Sequence, residues 1–164
     1  MRRALSLGLL VVLAAACSAR DKAPDRTVTA RTAVDRYVVD FWVKRDTSAL
    51  AKALSPSMIY HYNGKIIPGE PTAHFAALRS FGSAFPDLAA TIDVFTVSGD
   101  TAAAVTTWTG THSGEMCKQP GSGVKVSWVV NYVFRFEQGR IVELWEAWDE
   151  GGLYNKLGID FSKC

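Results

Sequence analysis

The hydrophobic pattern changes its period at Pro86, and that change constrains the fold more than any other feature of the chain. Before it, apolar residues recur at helical spacing; after it, they alternate. Turn signals at Ser98-Gly99-Asp100 and Gln138-Gly139 divide the second half into strands at about 88–97, 101–112, 124–136 and 140–149. No crossover helix separates these strands, so an antiparallel meander is expected. The first half supplies the helices. Val34, Tyr37, Val38, Phe41 and Trp42 mark a long amphipathic helix from about Thr27. A shorter helix capped by Thr47 or Ser48 carries Leu50, Ala53 and Leu54 and stops at Pro56. A third spans 71–85, with Phe75, Leu78, Phe81 and Phe85 on its apolar face. A short aromatic strand is expected at 58–63 and a loop at 64–71. Helices followed by strands indicate an α+β domain, a curved antiparallel sheet packed on one side by three helices.

Strand pairing sets the expected interior. A two-residue turn at Gln138-Gly139 pairs Glu137 with Arg140, which places Phe134 opposite Glu143, Tyr132 opposite Trp145 and Trp128 opposite Asp149. The even positions Val124, Val126, Trp128, Val130, Tyr132, Phe134 and Phe136 are all apolar or aromatic, so that face points inward. By the same pairing Glu143, Trp145 and Asp149 are expected inside. A carboxylate among rings is costly unless paired, hydrated or neutral, and its pKa rises with desolvation. That suits a general base working near neutral pH. The alternative is that Glu143 and Asp149 bond to Arg135, Arg140 or backbone groups at the sheet rim.

His61, His74 and His112 lie on separate elements without metal-ligand spacing, so no metal site is expected. His61 and His112 can each reach a cavity or act as satisfied structural residues; His74 is expected in solvent. Trp108, Trp128 and Trp145 would make a lining for a flat apolar ligand. The chain has no Gly-rich phosphate loop, nucleophile elbow or CxxC, so nucleotide binding, serine hydrolysis and thiol exchange have no motif behind them.

The N-terminus points to export. Arg2 and Arg3 precede an apolar run from Ala4 to Leu13, then Ala14, Ala15, Ala16 and Cys17, which reads as a signal peptide over 1–16. Leu13-Ala14-Ala15-Ala16-Cys17 resembles the bacterial lipobox, which implies lipidation at Cys17 and a tether over 17–26, with the domain at 27–164. The expected location is the cell envelope; Ser18 after the cysteine resembles an outer-membrane sorting signal if the host is Gram-negative. The anchor would be the sole membrane contact. Two of the 18 basic residues lie in the signal peptide, so they leave a mature chain nearly balanced against 16 acidic residues. Neither nucleic acid nor an acidic surface is implied as a partner. In an oxidising compartment Cys117 and Cys164 can form a disulfide or stay as two thiols.

The segments Phe85-Pro86-Asp87-Leu88, Gly99-Asp100, Gly110-Thr111-His112-Ser113-Gly114-Glu115, Phe134 to Trp145, Asp149 and Leu157-Gly158 resemble the SnoaL-like polyketide cyclase family in order and spacing. The resemblance implies the nuclear-transport-factor-2-like cone with a cavity between helices and sheet. It also implies cofactor-free chemistry, in which an aspartate on the last strand removes a proton beside a carbonyl and the enolate closes a ring. By motif position that aspartate falls on Asp149, with His61 and His112 as pocket groups. The loop Met116 to Gly123 departs from the family pattern and adds a cysteine. A small apolar carbonyl compound is the expected ligand, bound with or without acid/base catalysis of the cyclase, isomerase or dehydratase type. The alternative is a non-catalytic binding or scaffolding lipoprotein. Pairing of two copies through the outer sheet face is a further expectation.

Overall fold

The computed structural model describes residues 25–67 and 71–164. The expected signal peptide, Cys17 and most of the expected tether lie outside the described residues. The first helix, α1 (Arg26–Asp35), opens on Asp25, whose carboxylate accepts the Thr27 N–H at 2.8 Å. It continues into a π-helical segment (Arg36–Val43) on which Tyr37, Val38, Phe41 and Trp42 are all buried. The long helix read from the sequence therefore exists, with wider winding where its aromatic face meets the sheet. α2 (Thr47–Ala53) is capped by Asp46, one residue before the expected Thr47 or Ser48, with the Ser48 N–H on its carboxylate at 2.9 Å.

β1 (Leu54–Tyr62) begins four residues earlier than the alternation suggested, and β2 (Lys65–Ile67) forms where a loop was expected. α3 (Thr72–Ala84), β3 (Ala89–Ser98), β4 (Thr101–Thr111), β5 (Lys125–Glu137) and β6 (Arg140–Trp148) follow the reading closely. A fourth helix, α4 (Glu150–Leu157), was not anticipated, since Gly151 and Gly152 argue against a helix. Asp149 caps it, and a Cβ at Gly152 would collide with the Asp149 carboxylate. The glycine is what admits the cap.

The sheet order is β2-β1-β6-β5-β4-β3, antiparallel except where β1 runs parallel to β6. The inner face buries Ala104, Trp108, Val126, Val130, Tyr132, Phe134 and Leu144 against the helices. The outer face leaves Ile59, Val94, Val129, Val133 and Trp145 exposed.

Hairpin pairing begins as expected, with Glu137 opposite Arg140 and Phe136 opposite Ile141. A bulge at Val142 then puts two residues of β6 against one of β5, so Arg135 faces Glu143, Phe134 faces Leu144 and Tyr132 faces Glu146. A one-residue slip exchanges the faces of every later side chain. Leu144, Glu146 and Trp148 therefore turn inward, and Glu143, Trp145 and Ala147 outward.

Cys117 and Cys164 form a disulfide across 47 residues of chain. It fastens the loop after β4 to the C-terminal tail. The Gln119 side chain adds a second fastening: its amide donates to the Asp160 carbonyl at 3.2 Å and accepts the Asp160 N–H at 3.1 Å. Reduction is expected to lower stability in urea melts by about 2–4 kcal/mol. An unchanged midpoint would mean that the other loop–tail contacts hold the segment without the bond.

Candidate active site

A cavity of about 300 Å³ lies between α3, the π-helical segment and the inner sheet face. Half of its lining is aromatic, including Trp42, Trp108, Trp128, Tyr132 and Trp148. Alternation along β4 and β5 brings Trp108 and Trp128 opposite each other, stacked with centroids 6.4 Å apart, and Tyr132 follows on the same face. Trp108, Trp128 and Tyr132, marked as lining from the sequence, stand in this wall.

The carboxylate that enters the cavity is Glu146, which is only 8% exposed. Its Oε2 accepts the Tyr60 hydroxyl at 2.9 Å, and the Tyr37 hydroxyl lies 3.5 Å away. Tyr37 in turn bonds His74 Nε2 at 2.9 Å. Both bonds to Glu146 fall on Oε2; Oε1 has no hydrogen-bond partner among the described residues. Burial pushes the Glu146 carboxyl up to about 7, although the Tyr60 and Tyr37 hydroxyls and nearby His74 favour its ionised form. Tyr60, Tyr62 and Tyr132 all have their hydroxyl pKa raised, first by burial and then by neighbouring carboxylates, so they remain neutral donors. Glu150, in the first turn of α4, is the second lining carboxylate and accepts the Tyr154 hydroxyl at 2.9 Å.

The other sequence candidates lie elsewhere. Glu143 projects from the outer face, where His61 Nε2 approaches Oε1 at 3.0 Å and Arg135 donates to Oε2 at 3.0 Å. The His61 bond and then Arg135 hold the Glu143 carboxyl below its usual range. His61 also stacks on Trp145 with ring centroids 4.9 Å apart. Glu143, Trp145 and His61 thus form one outer-face cluster rather than cavity groups, because the Val142 bulge turned β6 and β1 pairs with it. Asp149 lies past the strand end, its carboxylate on the Gly152 N–H at 2.8 Å as the α4 cap.

His112 is buried outside the cavity lining. Its Nδ1 accepts the Ser122 N–H at 3.1 Å, which leaves the proton on Nε2, an atom with no partner among the described residues. Burial lowers its pKa. His74, expected in solvent, is 1% exposed and belongs to the network around Tyr37. Among the described residues no group of three His, Cys, Asp or Glu side chains could hold a metal ion.

A helix-covered cone enclosing an aromatic cavity with a buried carboxylate defines a protein of the nuclear-transport-factor-2-like fold. The SnoaL-like polyketide cyclase model matches residues 32–157, and the chain belongs to that family. Among solved structures, AclR, a candidate hydroxylase from Streptomyces galilaeus, is 26% identical with a TM-score of 0.69, over 81% of this chain and 95% of its own. A candidate SnoaL-like polyketide cyclase from Jannaschia sp. CCS1 is 19% identical with a TM-score of 0.72, over 86% and 99%. An LEH-like epoxide hydrolase from M. tuberculosis is 19% identical with a TM-score of 0.61, over 81% and 92%. The last two likenesses concern the fold. No curated protein matches the chain significantly.

The raised Glu146 pKa fixes the sign of a stability effect. The folded state holds this proton up to about pH 7, whereas the unfolded chain releases it near the ordinary value of 4.5. Stability therefore falls as pH rises through that window, by roughly 3 kcal/mol at most. Glu146→Gln should gain stability relative to the parent between about pH 5 and pH 8. A pH-independent difference would place the Glu146 titration at its unburied value.

Proposed function

We propose that the cavity binds a small apolar carbonyl compound and that Glu146 is its general base. The observation that carries this reading is a buried carboxylate on the last strand of the sheet, with one oxygen fixed by Tyr60 and the other without a hydrogen-bond partner among the described residues. Ionised Glu146 takes a proton from the carbon beside the ligand carbonyl. The C–H electrons pass into an enolate, and the proton rests on Oε1. Its return to another carbon isomerises the ligand; alternatively the enolate attacks a second carbonyl to form the ring C–C bond, and the alkoxide left by that carbonyl takes the proton back from Oε1. Neither route consumes a further reagent. Known relatives of this fold differ in chemistry, so the site rather than the architecture supports the assignment.

Tyr37 and Tyr60 are positioning residues, and His74 acts through Tyr37. The groups that set the charge of Glu146 are Tyr60 and Tyr62 on β1, Tyr37 on the π-helical segment, His74 on α3, Tyr132 on β5 and Glu150 on α4. The N-terminal sequence supports a setting for this site: an exported lipoprotein anchored through Cys17 to the cell envelope, the domain facing the periplasm in a Gram-negative host.

Two experiments test the proposal on the full-length protein in non-ionic detergent. With 2-tetralone as probe, α-hydrogen exchange into D₂O followed by NMR should be accelerated and should rise with pH through an apparent pKa of about 7. Glu146→Gln should lose about a hundredfold or more of that acceleration, while Asp149→Asn and Glu143→Gln retain it. Full exchange in Glu146→Gln would overturn the assignment of the base. Separately, Cys17→Ser should move the protein from the membrane to the soluble fraction of its own host. A substituted protein that stayed membrane-bound would contradict lipid anchoring there.

A further inference from the structure

We propose that the ligand of this cavity is an organic cation, an apolar molecule whose amine or quaternary nitrogen is held among the tryptophans with Glu146 and Glu150 as counter-charges. The inference deepens the reading above and rests on its premise that the cavity takes a small molecule.

The lining has one sign of charge. Glu146 and Glu150 both face the cavity, and among the described residues no lysine, arginine or histidine lines it. An anionic ligand would meet two carboxylates, and beside a neutral one the desolvation of ionised Glu146 is offset only in part, by the Tyr60 and Tyr37 hydroxyls and nearby His74. A cation relieves that cost. Oε1 of Glu146, which has no hydrogen-bond partner among the described residues and belongs to a side chain more than nine-tenths buried, is the atom it would face.

The walls favour the same charge. Trp42 meets Trp108 edge-on at 6.2 Å, Trp108 stacks on Trp128 at 6.4 Å, and Trp128 lies 6.5 Å from Trp148. Four indoles thus form a continuous belt. Rings of this kind attract a cation through their quadrupole, tryptophan most strongly, and more so when the cation is desolvated. The lining pairs this tryptophan belt with two carboxylates. A positive nitrogen near the carbonyl would also stabilise the enolate formed beside it.

The test uses choline and its neutral carbon isostere 3,3-dimethylbutan-1-ol, titrated into the full-length protein in non-ionic detergent at about pH 8, where Glu146 is ionised, with binding followed by calorimetry and ligand NMR. Choline is expected to bind about tenfold or more tighter than the isostere. The double variant Glu146→Gln/Glu150→Gln is expected to lose that preference while still binding the alcohol. Equal affinity for the two probes overturns the cation assignment and leaves the ligand-binding cavity standing. Choline binding that is unchanged in the double variant also overturns it. Failure of both probes to bind at millimolar concentration overturns the cation assignment together with the occupancy on which both readings rest.

Discussion

The bulge at Val142 decides which side chains of β6 face the interior, and the candidate site depends on it. Without the extra residue, strict alternation from the Gln138-Gly139 turn would bury Glu143, Trp145 and Asp149 against the aromatic face of β5. With it, Leu144 completes the core, Glu146 enters the cavity, and Glu143 emerges beside Arg135 and His61 where its charge is matched. The arrangement is consistent on both faces. The strongly paired carboxylate is outside, and the one held by neutral hydroxyls is inside, where burial raises its pKa.

Around that carboxylate, several elements each contribute one constraint. Tyr60 from β1 and Tyr37 from the π-helical segment reach one oxygen of Glu146, and His74 from α3 bonds the Tyr37 hydroxyl behind it. A buried polar network is stabilising only when its members are satisfied. Here Oε1 of Glu146 has no hydrogen-bond partner among the described residues. α4 follows directly from β6 because Asp149 caps it and Gly152 leaves room for the cap. The helix carries Glu150 to the same cavity, and its far end is followed by the tail that the disulfide and Gln119 hold to the loop after β4.

The α+β architecture was legible because the period of hydrophobicity and the turn residues are local signals. The even-numbered face of β5 and the tryptophans at 108 and 128 followed from alternation alone. What alternation could not supply was the insertion at Val142, since Ile141 and Val142 are both apolar and either can occupy an inward position. The error then propagated through each later residue, placing Glu143 and Asp149 in the cavity and missing Glu146. His74 was read as exposed because its partner Tyr37 lies 37 residues away, beyond any local pattern. α4 was hidden by its two glycines, whose unfavourable helix propensity is offset by a cap that only the folded geometry reveals. A signal was available for Glu146: it continues the series Leu144, Glu146, Trp148 once a single bulge is allowed.

The proposed chemistry depends on the ionisation of one side chain, Glu146. A ¹³C NMR titration of the glutamate carboxyl carbons, assigned with Glu146→Gln, measures it directly. Glu146 is expected to titrate at about 7, above the ordinary carboxylate range, because burial among rings outweighs the Tyr60 and Tyr37 hydroxyls that favour its ionised form. Titration near 4.5 would contradict the account, since it would show a hydrated carboxylate unsuited to act as a base near neutral pH.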